Sequence, residues 1–172
     1  MQRERVPYDH QLSKTLKLLE NPGLLLAASK KSGESNVMTI GWATVGFIWG
    51  KPIFMALVRP SRYTYEFIEE SQCFTVNVPA EDLRRWVGIC GSRSGRQMDK
   101  FGEYNIATHP AQTISAPTID ACPMIYECQV VHHNDLIPAN LAPDIETSAY
   151  GGSDYHRLYF GHILGAFADK SY

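Results

Sequence analysis

The sequence predicts a mainly β fold, an antiparallel barrel of short strands with peripheral helices and Greek-key-like connections. Three observations carry this expectation. Apolar or alternating runs of strand length recur along the chain and outnumber helical patterns. The turns between them are brief and built from Gly, Pro, Asn and Ser. No regular alternation of strand and helix points to a parallel βαβ sheet. With 172 residues, no internal repeat and no linker-like stretch, one domain over residues 1–172 is expected.

The elements follow in order. Leu12, Leu16 and Leu19 recur at helical spacing within residues 11–20, and Asn21-Pro22-Gly23 ends the run. Strands are predicted at Leu24–Ser29, Asn36–Trp42, Thr44–Trp49 and Ile53–Val58, with turns at 31–35 and at Gly50-Lys51-Pro52. Arg59–Tyr63 reads as a loop handing over to a helix at Thr64–Glu70. Phe74–Val78 alternates as a strand, Ala80–Val87 reads as a second helix, and Cys90–Gly95 as a Gly/Ser loop. A short helical turn is expected at Gln97–Phe101, and further strands at Met124–His132 and His156–Leu164. The stretch 134–153, rich in Pro, Asn, Asp and Gly, is expected to be a long irregular loop, a rare feature with a functional or mobile character.

Composition removes several classes. A hydrophobic fraction of 44% supports a core, and a net charge of −2 carries no basic footprint for nucleic acid. No apolar run reaches the roughly 18 residues of a membrane span. The N-terminal MQRERVPYDH has no apolar signal core, so a cytoplasmic location is expected. Cys73, Cys90, Cys122 and Cys128 form no CxxC pair and read as reduced, buried thiols. Cys90, beside a basic stretch, is the thiol whose pKa nearby cations could lower.

Three segments carry candidate chemistry. Arg59-Pro60-Ser61-Arg62-Tyr63-Thr64 joins an apolar strand to a helix. Two guanidiniums, two hydroxyls and the N–H groups of a helix start suit a phosphate, and the plainer reading is a solvated loop capping that helix. Asn36, Met38 and Thr39 lie on NVMTIGW, where two polar residues interrupt an apolar strand. The plainer reading is a half-buried strand with Trp42 in the core. The third, Gly91–Phe101, offers Ser94, Arg96 and Lys100 to a phosphate or an acidic partner, or is simply a solvated basic loop. Neither a Walker ending nor a GxGxxG after a strand is present. Histidines 132, 133, 156 and 162 lack metal-ligand spacing, so no metal is expected. His156 and His162, six apart, would share a strand face. His132 and His156 remain candidates for a place beside a ligand.

In order and spacing, NVMTIGW, RPSRYT, FTVNVP and SGRQMDKF resemble the flavin-reductase-like family that includes flavoredoxins. GLLLAAS, Glu127-Cys128 and Tyr159-Phe160-Gly161 extend the resemblance from about Pro22 to Leu164. It implies the FMN-binding split-barrel fold and a homodimer with FMN near the subunit interface. Asn36, Met38 and Thr39 would then line the isoalloxazine. Arg59, Ser61, Arg62 and Thr64 would hold the phosphate, with Lys100, Ser94 and Arg96 completing that side or the dimer contact. The implied activity is an FMN-dependent oxidoreductase taking electrons from NADH or NADPH to a free flavin, a ferric complex or a redox protein. The alternative is an electron carrier or flavin store without nicotinamide turnover. A split barrel that binds haem or another planar ligand is a third reading. The chain departs from the family at Gly161-His162, where an acidic residue often follows the glycine.

Overall fold

The computed structural model describes residues 2–170 and Tyr172. Ten strands are described: β1 (Glu4–Arg5), β2 (Leu24–Ser29), β3 (Ser35–Ile40), β4 (Ala43–Ile48), β5 (Lys51–Val58), β6 (Cys73–Val78), β7 (Thr108–Pro110), β8 (Pro117–Ile119), β9 (Met124–Asp135) and β10 (Arg157–Ala168). Eight form one antiparallel sheet, in the order β3-β2-β6-β9-β10-β5-β4, with β1 added on β10. The sheet curls round an apolar interior but does not close. β3 and β4, consecutive in the chain, are its two ends, and the opening between them is the split. The mainly β split barrel expected from the sequence is therefore the fold. β7 and β8 form a separate two-stranded ribbon.

The all-apolar character of β2 follows from its position. Leu24, Leu26 and Ala28 enter the barrel interior with Phe54, Phe67, Phe74, Tyr126 and Tyr159. Leu25 and Ala27 enter a second core, roofed by Leu83, Val87 and Cys90. A strand covered on both faces needs no polar alternation. The roof is α3 (Arg84–Ser92), preceded by a 3₁₀ turn at Glu81–Leu83 and followed by α4 (Lys100–Glu103). α1 (Leu12–Glu20) and α2 (Tyr63–Ser71) complete the main helices. None of the described helices is long and apolar enough to cross a membrane.

Several boundaries differ from the sequence expectation, each for a local reason. The turn after β4 is Trp49-Gly50, with φ +55° and +69°, so Ile48 pairs Lys51 and β5 begins two residues earlier than Ile53. A two-residue hairpin with both φ positive matches the twist of its strands. β3 ends at Ile40, and Trp42 is 46% exposed instead of lying in the core. α3 runs through Cys90–Ser92, where a loop was expected, and Ser92 Oγ donates back to the Gly88 carbonyl at 2.8 Å. β1, β7 and β8 are too short to leave a periodic signal.

The largest correction concerns 134–153. β9 continues to Asp135, pairing Arg157, whose guanidinium grips the Asp135 carboxylate at 2.6 and 2.8 Å. The remainder is a strap of short helical turns: 3₁₀ at Pro138–Asn140, then α5 (Pro143–Ile145) running into a π turn at Glu146–Tyr150. His156 lies just before β10. Being outside the strand, it shares no strand face with His162; the register slip between Phe160 and Gly161 is an extra residue, Val131, on the facing β9.

At that slip Gly161 is required by close approach. A Cβ there would stand 2.6 Å from Phe74 Cζ and 2.7 Å from Cys128 Cβ, both fully buried. Gly161→Ala is expected to destabilise the fold by about 1–3 kcal/mol, the cost of overpacking a tight core. Urea unfolding of the two proteins checks this, and an unchanged midpoint would refute the packing.

Candidate functional site

The split and the loops around it form two adjoining cavities. A polar cleft of about 110 Å³ is lined by Asn36, Met38 and Thr39 of β3, by Ser61–Thr64, by Cys90–Gly95 and by Lys100. A more open shelf of about 200 Å³ shares Met38, Thr39 and Arg62 with it. The shelf continues along Ile40, Gly41 and Trp42 to Leu57, Arg59 and His156.

β3 supplies the floor. Asn36, 5% exposed, donates from Nδ2 to Thr64 Oγ1 at 2.9 Å, so the Thr64 hydroxyl keeps its own proton for the cleft. Thr39 instead donates to the Val87 carbonyl at 2.5 Å, tying β3 to α3. A Cβ on Gly95 would overlap the Asn36 amide, so the loop after α3 closes directly on it. Thr64 lies in the first turn of α2, whose leading N–H groups have no intrahelical partners and favour an anion.

Lys100 gives the cleft its charge. It is 3% exposed, and its Nζ donates to the Val37 and Cys90 carbonyls at 2.7 and 3.2 Å. An ammonium has three protons, and no carboxylate pairs with this one among the described residues. Burial, with the Arg62 guanidinium nearby, lowers its pKa. Arg62 and Arg93, both exposed, also line the cleft, and their guanidiniums form no hydrogen bond or ion pair among the described residues. Three cations thus line the cleft with no carboxylate among its lining residues, an arrangement chemically suited to an anion.

The other candidates are placed differently. Ser94 lines the cleft, and its Oγ accepts from Arg96 N at 3.3 Å. Arg96 sits outside, over the Tyr63 ring, bonding the Ser61 carbonyl at 3.0 Å and Glu66 at 2.6 Å. Arg59 faces the shelf and the strap: it donates to the Ala149 and Asp154 carbonyls at 2.7 and 3.2 Å and lies over the Tyr150 ring. Ser61 lines the cleft, yet its Oγ and N donate to the two Asp154 carboxylate oxygens at 2.6 and 3.2 Å. Arg93 was missed by sequence reasoning, which had only a basic loop to read; the extended α3, which it caps, is what places this exposed residue at the cleft.

His156 is the histidine that lines a cavity at the split. It is 8% exposed, its Nδ1 is 2.9 Å from the Tyr150 hydroxyl, and its ring packs on Trp42 at 5.0 Å. Burial, helped by Arg59, pushes its pKa down to about 4. His132 lies instead on the outer face with Trp49 and Phe160. His162 is on β10 opposite Ile53 and lines neither cavity. All four cysteines are free and buried. Burial pushes the Cys90 thiol up to about 11, opposite to the lowering its basic neighbours suggested, because desolvation outweighs the attraction of Lys100.

Residues 17–170 match the family model described as the flavin reductase like domain, and the chain belongs to that family. It is 30% identical over 129 residues to an uncharacterised protein of Archaeoglobus fulgidus, covering 75% of this chain and 63% of that one. YddH of Escherichia coli is 27% identical over 147 residues, 85% of this chain and 69% of its own. The chain thus spans roughly two thirds of the length of these relatives. Among solved structures, flavoredoxin from Methanosarcina acetivorans superposes with TM-score 0.67 at 26% identity, covering 87% of this chain and 70% of that one. An FMN-binding domain of a flavin-reductases-like enzyme from Shewanella baltica gives 0.69 at 21%, covering 98% and 78%.

The site makes stability depend on pH through His156. Its folded pKa, about 4, lies below the ordinary 6.5, so the neutral ring stabilises the fold above pH 6.5. That contribution is lost as pH falls from 6.5 toward 4. Urea midpoints of the wild type are expected to drop over this window, and those of His156→Gln to drop less. Parallel pH profiles for the two proteins would sink the assignment.

Proposed function

We propose that the chain binds one FMN, its phosphate in the polar cleft and its ring along the shelf, as an oxidoreductase that takes electrons from NADH or NADPH. The observation that carries the reading is Lys100, an ammonium buried beneath a cleft of further cations with no carboxylate to neutralise it. Lys100, Arg62, Arg93 and the Thr64 hydroxyl hold the phosphate, with the start of α2 behind them. Asn36 positions Thr64, and Met38 and Thr39 flank the ring. FMN accepts and releases electrons when bound; the protein's part is to orient it and exclude water. Trp42 and Leu57 give the shelf an apolar wall. His156, held neutral and oriented by Tyr150, offers its free Nε2 to a second substrate there. The acceptor is a free flavin, a ferric complex or a redox protein. The kinship with proteins named flavoredoxin and flavin reductase supports both the cofactor and the redox class.

The homodimer belongs to the same reading. Met55, Leu57, Leu158 and Phe160 on the outer face of β5 and β10 are only half-buried, and Ile48 and Trp49 beside them are exposed. A second copy covering this face would bury that surface.

Lys100→Met tests the cofactor site. Replacing a buried, carboxylate-free cation by an apolar side chain is expected to leave apo stability within about 1 kcal/mol. FMN affinity, measured by fluorescence quenching, is expected to fall roughly 10- to 100-fold, the worth of one charge-assisted bond. Riboflavin affinity is expected to be little changed. Equal FMN affinity in both proteins would refute the phosphate site.

The redox role and assembly are tested on the FMN-loaded protein. Sizing is expected to give a dimer. Stopped-flow mixing with NADH or NADPH is expected to bleach the flavin band rapidly. Bleaching by a protein donor alone would favour the carrier, and a monomer would remove the dimer.

A further inference from the structure

Among the residues lining the cleft, the strap between β9 and β10 bonds to Ser61, and it does so through a carboxylate in an anion's place. Asp154 accepts from both Ser61 N and Ser61 Oγ, each on a different oxygen, and Oδ2 lies 3.8 Å from Arg59 Nη1. A backbone N–H, a hydroxyl and a guanidinium are the donors a phosphate recruits. Three further contacts hold the strap over the shelf, the Arg59 bonds to the Ala149 and Asp154 carbonyls and the Trp42 ring against Tyr150. Inside the strap, Glu146 Oε1 accepts from Gly152 N and Tyr155 Oη, both at 2.8 Å, so residues 146–155 hold together as a unit. Gly151 and Gly152, at φ +58° and +90°, and Asp154, at +53°, shape the bend that delivers the carboxylate.

We propose that Asp154 is a phosphate-mimicking latch: an incoming phosphate monoester takes over Ser61 and Arg59, expels the Asp154 carboxylate and releases the strap from the shelf. This rests on the flavin reading for the identity of the phosphate ester. The physical cause is like-charge exclusion, because a dianion at Ser61 and the Asp154 carboxylate cannot share one set of donors. Release would also carry Tyr150 away from Trp42 and from His156, whose own carbonyl stays tied to Leu136 N, widening the shelf. The site is then filled in order, phosphate first and second substrate after it. Arg59 changes partners in the process, from strap carbonyls to the phosphate, which reconciles its position over the shelf with a place in the anion site.

Hydrogen exchange of peptides covering 146–156 reads the latch, and flavin fluorescence reads binding in the same samples. Saturating FMN is expected to speed exchange across 149–156, whereas riboflavin, which lacks the phosphate, is expected to leave it unchanged. Asp154→Asn is expected to exchange faster without ligand and to bind FMN about five-fold more tightly, roughly 1 kcal/mol. FMN that binds while exchange stays constant or slows would overturn the latch and leave the flavin reading standing. Weaker FMN binding by Asp154→Asn would likewise overturn it. Failure of FMN to bind either protein would overturn both.

Discussion

One constraint organises the molecule: β3 has a strand neighbour on one side only. It pairs β2 along its whole length, while its other edge faces the split. Backbone groups at such an edge must find partners elsewhere. The Val37 carbonyl receives Lys100, and Leu57 N reaches the Trp42 carbonyl at 3.2 Å just beyond the strand. α3 is drawn against β3 through Thr39, and the loop behind it closes on Asn36. The same opening that weakens the sheet therefore gathers a helix start, a buried cation and a row of polar side chains into one cleft.

The distribution of charge separates structural ion pairs from the site itself. Arg157 binds Asp135 and Glu69, and Arg96 binds Glu66; each of these cations has a carboxylate of its own. Lys100, Arg62 and Arg93 do not. An unpaired ammonium at 3% exposure is costly to a fold, and carbonyl partners offset only part of that cost. The arrangement makes physical sense as half of a pair whose other half is a bound anion. A solvated basic loop, the plainer reading of Gly91–Phe101, would place its lysine in water.

What could be read from the sequence follows from how far each signal reaches. β2 and β5 were legible because strands buried on one or both faces write continuous apolar runs. Asn36 and Thr64 stood out as polar residues beside apolar ones, but their bond, 28 residues apart, belongs to the curl of the sheet. Arg93 was hidden because helix α3 ends in Gly91-Ser92, residues that read as loop and are held helical by packing on β3. Asn134 and Asp135 were hidden for the opposite reason: poor strand formers, they stay in β9 because Arg157 grips the second of them from β10. The strap wrote only a loop composition, and its role rests on one aspartate meeting a serine 93 positions away.

Helix α2 links these parts, because its two ends are held differently. Near its C-terminus, Glu69 accepts from Arg157 Nη1 at 3.0 Å and from the Tyr159 hydroxyl at 2.6 Å, fastening the helix to β10. Phe67 and Ile68 between them are fully buried in the barrel interior. At its N-terminus the preceding Ser61 donates its N–H and hydroxyl to the Asp154 carboxylate and accepts from Arg96 on its carbonyl, while the Arg62 guanidinium forms no hydrogen bond or ion pair among the described residues. A rigid helix anchored at one end thus presents a fixed anion-binding start at the other, and the exchangeable contact there is the one to the strap. β10 carries both the fixed anchor at Arg157 and, just before it, His156 and Asp154. The fixed anchor at Arg157 and the exchangeable Asp154 thus lie three positions apart, and the His156 carbonyl between them accepts from Leu136 N at 3.1 Å, tying that segment to the end of β9.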